Sequence, residues 1–207
     1  MADLAVLRIQ REFQEVMTSD EIMRSSIKIE LVNDSWTELR GEIAGPPDTP
    51  YEGGKFVLDI KVPPNYPFSP PRVRFVTAIW HPNISSVTGN ICLDLLKDNW
   101  VAAMSLRTML LSVQVLLGSP EPDDPQDAVV GRQFKSNHQM FLLTAQHWTN
   151  ACAGGPHSLP DFDAKIEQLK NMGVGEHFAR SVLSKENWNL QTSTAWLFGT
   201  MANPTHT

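Results

Sequence analysis

His81-Pro82-Asn83-Ile84, then Gly89-Asn90-Ile91-Cys92-Leu93-Asp94, closing at Trp100, is the most chemically suggestive stretch of this 207-residue chain. It holds one of only two cysteines, with an amide side chain nine positions before it. An isolated cysteine is ordinarily a small buried hydrophobe. Here a His-Pro-Asn turn fixes the chain, Gly89 frees it again, and Cys92 follows with no secreted-protein signature around it. A nucleophilic thiol needs an accessible position and a nearby donor for the charge that develops on the attacked carbonyl. Cys92 is the candidate nucleophile and Asn83 the candidate donor.

On the N-terminal side, Val6, Ile9, Phe13 and Val16 recur at steps of three and four, which predicts one apolar helical face with Asp3 as N-cap. Arg8, Arg11, Glu12 and Glu15 fall mostly on the other side and read as a solvated surface. Strand signals follow quickly. Ile27, Ile29 and Leu31 alternate before a turn at Asn33-Asp34-Ser35, and Trp36 to Ile43 forms a second run. Phe56, Leu58, Ile60 and Val62 make a third, and Val73 with Phe75 a fourth. Short turns between them predict an antiparallel meander rather than crossover units. The stretches 45–54 and 63–71 are rich in Pro and Gly and read as rigid surface loops.

Beyond Cys92 the pattern turns helical. Ser105 can cap a helix carrying Leu106, Met109, Leu110, Val113, Leu116 and Leu117, stopped by the run from Gly118 to Pro125. Two shorter helices are expected over about 127–135 and 138–151. The fold class is α+β: a four-stranded antiparallel meander flanked by helices, over residues 1–152. Residues 153–160, Ala-Gly-Gly-Pro-His-Ser-Leu-Pro, read as a linker by composition. Three helical segments then fit into 161–199 as a small bundle: 162–172, 177–184 and 190–198. Asn189 can cap the last, and Trp188 can staple it. Ile166, Leu169, Val182, Leu183, Trp196 and Leu197 are its apolar positions. The stretch 199–207 shows no periodicity, and 200–207 is expected to be a frayed tail.

Composition narrows the function. The formal charge is −6, and neither the first 160 residues nor the remainder is basic, which argues against a nucleic-acid or anionic-membrane partner. Cys92 and Cys152 cannot make a disulfide framework, and no Cys/His cluster has zinc-ligand spacing. No signal peptide and no run approaching 18 apolar residues is visible. These features predict a soluble protein of a reducing compartment, the cytoplasm most simply, with the nucleus also open. A cysteine hydrolase needs a histidine partner. His81 belongs to a tight His-Pro turn, and the later histidines have no such context.

The ordered motifs resemble those of the ubiquitin-conjugating enzymes. Beside the Cys92 stretch these are Gly41-x-Ile43-x-Gly45-Pro46-x-Asp48-Thr49-Pro50-Tyr51-x-Gly53-Gly54, Tyr66-Pro67-Phe68-x-Pro70-Pro71 and Pro122-Asp123-Asp124-Pro125. The resemblance implies that Cys92 receives ubiquitin as a thioester from the activating enzyme and passes it to a lysine amine. No histidine is required for this exchange, and no cofactor or metal; ATP is consumed upstream by the activating enzyme. A free lysine, with a pKa of about 10.4, must lose its proton to attack, and a partly dry site helps by disfavouring the ammonium. Asp124 matches the family position that orients this amine. Asn83 in the family either stabilises the oxyanion or braces the loop, and both roles remain open at this point. Arg8 and Arg11 match basic positions that dock the activating enzyme. Phe68, Val101, Ala102 and Ala103 match positions presented to ubiquitin ligases.

Met172-Gly173 resembles the loop of a ubiquitin-associated domain, so Met172, Gly173, Val174 and Leu197 are the expected ubiquitin contacts. Val174 replaces the bulky aromatic usual in that loop, which predicts weaker binding. Implied partners are ubiquitin, the activating enzyme, ubiquitin ligases and lysine-bearing protein substrates, and the bundle suggests polyubiquitin chain building for protein degradation. The competing readings are a catalytically silent ubiquitin-binding scaffold, a conjugating enzyme for another ubiquitin-like modifier, and a cysteine hydrolase.

Overall fold

The computed structural model describes residues 3–202. The first helix, α1 (Leu4–Thr18), starts at Asp3, whose carboxylate accepts the Ala5 N–H at 3.0 Å. Ile9 and Val16 are buried on its inner face, as the periodicity predicts. Glu12 departs from expectation: it is buried, not solvated. Its carboxylate accepts from Arg8 Nε at 2.7 Å, Tyr66 OH at 2.6 Å and the Leu106 N–H at 2.9 Å. A buried carboxylate is tolerated when paired and fully hydrogen-bonded in this way. A helix absent from the expectations, α2 (Asp20–Arg24), follows, with Ser19 as its N-cap. Five residues are too few for a 3.6-residue period to register.

The meander is as expected. Strands β1 (Ile27–Val32), β2 (Ser35–Ala44), β3 (Lys55–Lys61) and β4 (Arg72–Phe75) pair antiparallel in sequence order. Ile29, Gly41, Leu58 and Phe75 share one row across the sheet. The helix α3 (Leu106–Gly118) packs on that row, and Leu110 lies against Gly41, where no side chain intervenes. Ser105 caps α3 by accepting the Thr108 N–H. Helices α4 (Ala128–Ser136) and α5 (His138–Ala153) complete the core, in which Trp80 and Trp148 sit with ring centroids 5.2 Å apart.

Three further helices, α6 (Pro160–Asn171), α7 (Glu176–Lys185) and α8 (Leu190–Ala202), form a second apolar cluster around Phe162, Leu169, Leu183 and Trp188. The last helix runs past Gly199 into the stretch expected to fray, and residues 203–207 of the expected tail lie outside the described residues.

The segment expected to be a linker joins the two clusters, with residues 154–159 between α5 and α6. Gly155 within it is buried, while Gly154, Pro156, His157 and Ser158 are exposed. The Gly155 N–H donates to Thr149 O at 3.0 Å, and Asn150 Nδ2 donates to Gly155 O at 2.6 Å. Pro156 lies so close to Gly53 that a Cβ there would come within 2.6 Å. Composition predicts a linker, and glycine also permits close approach of neighbouring backbone.

The bundle is docked, not tethered. Trp148 Nε1 donates to Ser184 Oγ at 2.9 Å, Trp188 Nε1 to Thr144 Oγ1 at 3.0 Å, and Arg180 Nε to His147 Nε2 at 3.1 Å. Phe162 stacks on Trp188 at 3.8 Å, with the His147 ring edge-on to both.

Candidate active site

After β4 the chain leaves the sheet and builds the site from turns. The His81 ring braces the first. Its Nδ1 accepts the Asn83 N–H at 3.0 Å, so Nε2 carries the proton and donates to Leu116 O at 2.9 Å. Burial pushes its pKa down to about 4, which keeps this ring neutral and its two roles distinct. Pro82 O accepts the N–H groups of Gln126 and Asp127 at 2.9 and 3.0 Å. Gly89 has φ +74, and a Cβ there would overlap Phe75 O at 1.9 Å, so only glycine closes this loop. Ile84 then bridges Ile91 and aligns the two arms.

Cys92 emerges next to Asn83. Its N–H donates to Asn83 O at 2.8 Å, and its thiol is half-buried. The Asn83 side chain, however, is fully engaged elsewhere. Nδ2 donates to Glu121 O at 2.9 Å and Asp124 O at 3.1 Å, while Oδ1 accepts the Glu121 N–H at 2.7 Å. Of the two roles left open, bracing the 121–124 loop is the one this geometry displays. Asp124 is exposed on that braced loop, with its backbone fixed by Asn83. Asp123 pairs with Lys135 and is a surface residue.

Lys97 was not among the sequence candidates. It follows the 3-10 turn Asp94–Leu96, and its Nζ donates to Cys92 Sγ at 3.4 Å. Only the five-residue separation could have pointed to it, and a surface lysine at that distance carries no signal by itself.

The expected docking residues fall into a second group. Phe68 is 82% exposed, and Val101 and Ala103 are exposed with Ala102 half-buried. The two loops are tied together, since Trp100 Nε1 donates to Pro67 O at 2.7 Å. Arg11 is exposed on α1. Arg8 is committed internally, to Glu12 and, through Nη2, to Met104 O at 3.0 Å. On the bundle, Met172 and Gly173 are exposed and Val174 is half-buried. Leu197 is corrected: it is 2% exposed and belongs to the bundle core, whereas its neighbour Phe198 is 43% exposed. A helix turns 100° per residue, so an error of one position exchanges core for surface.

The family model for ubiquitin-conjugating enzymes matches residues 8–149. This chain belongs to the ubiquitin-conjugating enzyme family. It is 73% identical over 198 residues to the ubiquitin-conjugating enzyme E2-22 kDa of Drosophila melanogaster, covering 96% of this chain and 100% of that one. It is 58% identical over 197 residues to ubiquitin-conjugating enzyme E2 K of Homo sapiens, covering 95% and 98%. Among solved structures, the E2 domain of a Toxoplasma gondii ubiquitin conjugating enzyme superposes with a TM-score of 0.66 at 47% identity, covering 71% of this chain and 97% of that one. Membership sets aside the hydrolase reading. In a conjugating enzyme the half-exposed thiol, the braced turn behind it and the acidic loop beside it have a common purpose: a thioester held where an amine can reach it.

Proposed function

We propose that Cys92 accepts ubiquitin as a thioester from the activating enzyme and that this conjugating enzyme passes it to a lysine amine. The observation that carries this is the half-exposed Cys92, whose backbone N–H donates to the Asn83 carbonyl. In loading, the Cys92 thiolate attacks the thioester carbonyl on the activating enzyme, and the activating enzyme's thiolate leaves. In discharge, a neutral lysine amine attacks the new thioester, Cys92 leaves as thiolate, and the amine proton is released. Asn83 holds the 121–124 loop so that Asp124 can orient the amine. Chemistry of this kind needs no resident cofactor or metal, and ATP is spent upstream.

Arg11, with Arg8 beside it, serves the activating enzyme, and Phe68 with Val101, Ala102 and Ala103 serves ligases. The C-terminal bundle acts as a ubiquitin-associated domain, with Met172, Gly173 and Val174 on its ubiquitin-facing loop, and supports polyubiquitin chain building. Because the bundle is docked, it presents an acceptor from a fixed platform; the reach of a flexible linker does not set its local concentration. The cytoplasm, with the nucleus open, is the compartment this chemistry suits. Titrating labelled ubiquitin against the full chain and Met172→Asp tests the bundle's role. Weaker binding in the variant supports it, and equal binding removes Met172 from the contact.

A further inference from the structure

Gln133 lies mid-way along α4 and is buried to 6% exposure, yet all of its polar atoms are engaged in two opposite directions. Its Oε1 accepts Trp80 Nε1–H at 2.8 Å. Its Nε2 donates to Ser184 O at 3.0 Å and Asn187 Oδ1 at 2.9 Å, both in the C-terminal bundle. Trp80 immediately precedes the His81-Pro82-Asn83 turn, and its own carbonyl accepts Tyr51 OH at 2.8 Å. The same helix reaches the active site at its other end. Asp127, the N-cap of α4, accepts Ser86 N–H at 3.1 Å and Ser86 Oγ–H at 2.6 Å, and its own N–H is bonded to Pro82 O. Asp124 lies three residues before that cap. A second path runs beside the first, since Trp148 packs on Trp80 and donates to Ser184 Oγ.

Buried side-chain amides with every donor and acceptor matched act as units, because losing one partner strands a desolvated group. With the bundle away from α4, both Nε2 protons of Gln133 and the Trp148 indole N–H exchange fixed protein acceptors for water. Gln133 is then held only by its bond to Trp80, and the side chain that links the bundle to the Trp80–Asn83 turn is no longer pinned from both sides.

We propose that Gln133 is a positioning residue for lysine transfer, through which the docked C-terminal bundle holds the Trp80–Asn83 turn and the Asp124 loop in register with Cys92. This gives the bundle a part in aminolysis that is separate from binding any second ubiquitin. It rests on the assignment of Cys92 as the acyl carrier, and the choice of readout keeps failures of the two apart.

The test uses the full chain, loaded with ubiquitin and purified from the activating enzyme, then discharged in single turnover to free L-lysine or to 2-mercaptoethanol. No acceptor ubiquitin is present, so chain binding by the bundle cannot contribute. Thiol exchange does not need an oriented amine, so the ratio of the two rate constants reports positioning, and only the loaded fraction is scored. Gln133→Glu keeps an acceptor for Trp80 but has no proton for Ser184 or Asn187; Gln133→Met removes both sides at similar volume. The lysine-to-thiol ratio is expected to fall about fivefold in Gln133→Glu, the equivalent of one hydrogen bond, and about as far in Gln133→Met.

Ser184→Ala, which strands Trp148 without touching the Gln133 side chain, is expected to lower the ratio in the same direction. Asn187→Gly removes one of the two acceptors that the bundle offers Gln133 Nε2, at a positive φ that glycine tolerates, and serves as the deciding variant if the Gln133 variants cannot be loaded. An unchanged ratio in the variants that load overturns the proposal. A fall in Gln133→Met alone also overturns it, because Trp80 would then be held without help from the bundle. If the parent chain fails to load at all, it is the Cys92 assignment that falls.

Discussion

Asn83 and Glu121 hold each other in both directions, Nδ2 donating to the Glu121 carbonyl at 2.9 Å and Oδ1 accepting the Glu121 N–H at 2.7 Å. With the third bond, to Asp124 O, the side chain closes the loop that carries Asp124. Asn83→Ala leaves a partly buried N–H without its acceptor, a local cost of about 1–3 kcal/mol. The variant is expected to load ubiquitin and to discharge it to lysine about 5- to 150-fold more slowly, the rate counterpart of that cost. Single-turnover loading and discharge, measured separately, check this. Equal loss in both steps would point to a folding defect.

Glu12 joins α1, the Tyr66 loop and the start of α3 through three hydrogen bonds. Burial and the Glu12 hydrogen bond push the Tyr66 phenol pKa well up, so it remains a donor at all ordinary pH. Removing one partner of a buried charged cluster costs about 3–5 kcal/mol. Glu12→Ala is therefore expected to lower the urea midpoint strongly and Glu12→Gln less so. Equal midpoints for Glu12→Ala and the parent chain would show that the cluster contributes nothing net.

His147 sits at the contact of α5 with the bundle, where Nε2 accepts from Arg180 and the buried Nδ1 lies 3.8 Å from Asp163 Oδ1, without a hydrogen-bond partner. Burial, then the Arg180 charge, holds its pKa down to about 4 from 6.5, against a smaller upward pull from Glu176. Protonation removes the acceptor that Arg180 uses and sets two cations together. The undocked ring takes up a proton near pH 6.5, so docking is at full strength above that value and weakens as pH falls toward 4. The Arg180 and Trp188 side-chain N–H resonances, followed in a pH titration, should report bundle release in that window. His147→Leu should flatten the response, and an identical profile in the variant would place the titration elsewhere, His81 being the other buried imidazole among the described residues.

Leu197 and Met172 should separate stability from binding. Leu197→Ala empties a place in the bundle core and is expected to destabilise it by about 2–5 kcal/mol. Met172→Ala alters an exposed side chain and should leave the melting curve within about 0.5 kcal/mol while weakening ubiquitin binding. Thermal melts and a ubiquitin titration on both variants check the pair. Melts that shift equally would contradict the assignment of one to core and the other to surface.

Much of the fold is legible because long periodic segments announce themselves. The alternation through Phe56, Leu58 and Ile60 and the apolar face of α3 needed no structure. The ordered turn motifs likewise pointed to Cys92 and Asn83. What escaped depends on pairing across the chain. Glu12 looks like any surface glutamate until Tyr66 and the start of α3 are seen to converge on it. Residues 153–160 read as a linker, and which of them would pack was not visible, because glycine and proline mark both tethers and tight contacts. Gln133 carries no signal at all, since its partners lie 51 to 54 positions away in sequence. Leu197 stood both among the bundle's apolar positions and among the expected ubiquitin contacts, and its burial places it with the first.

The most direct measurement is a loading assay with activating enzyme, ATP and ubiquitin, resolved on a gel with and without thiol reductant. A shift by one ubiquitin is expected, abolished by reductant, absent in Cys92→Ala and converted to a reductant-stable oxyester in Cys92→Ser. A reductant-sensitive adduct that persists in Cys92→Ala would move the acyl group to Cys152, the one other thiol in the chain, and contradict the assignment of Cys92.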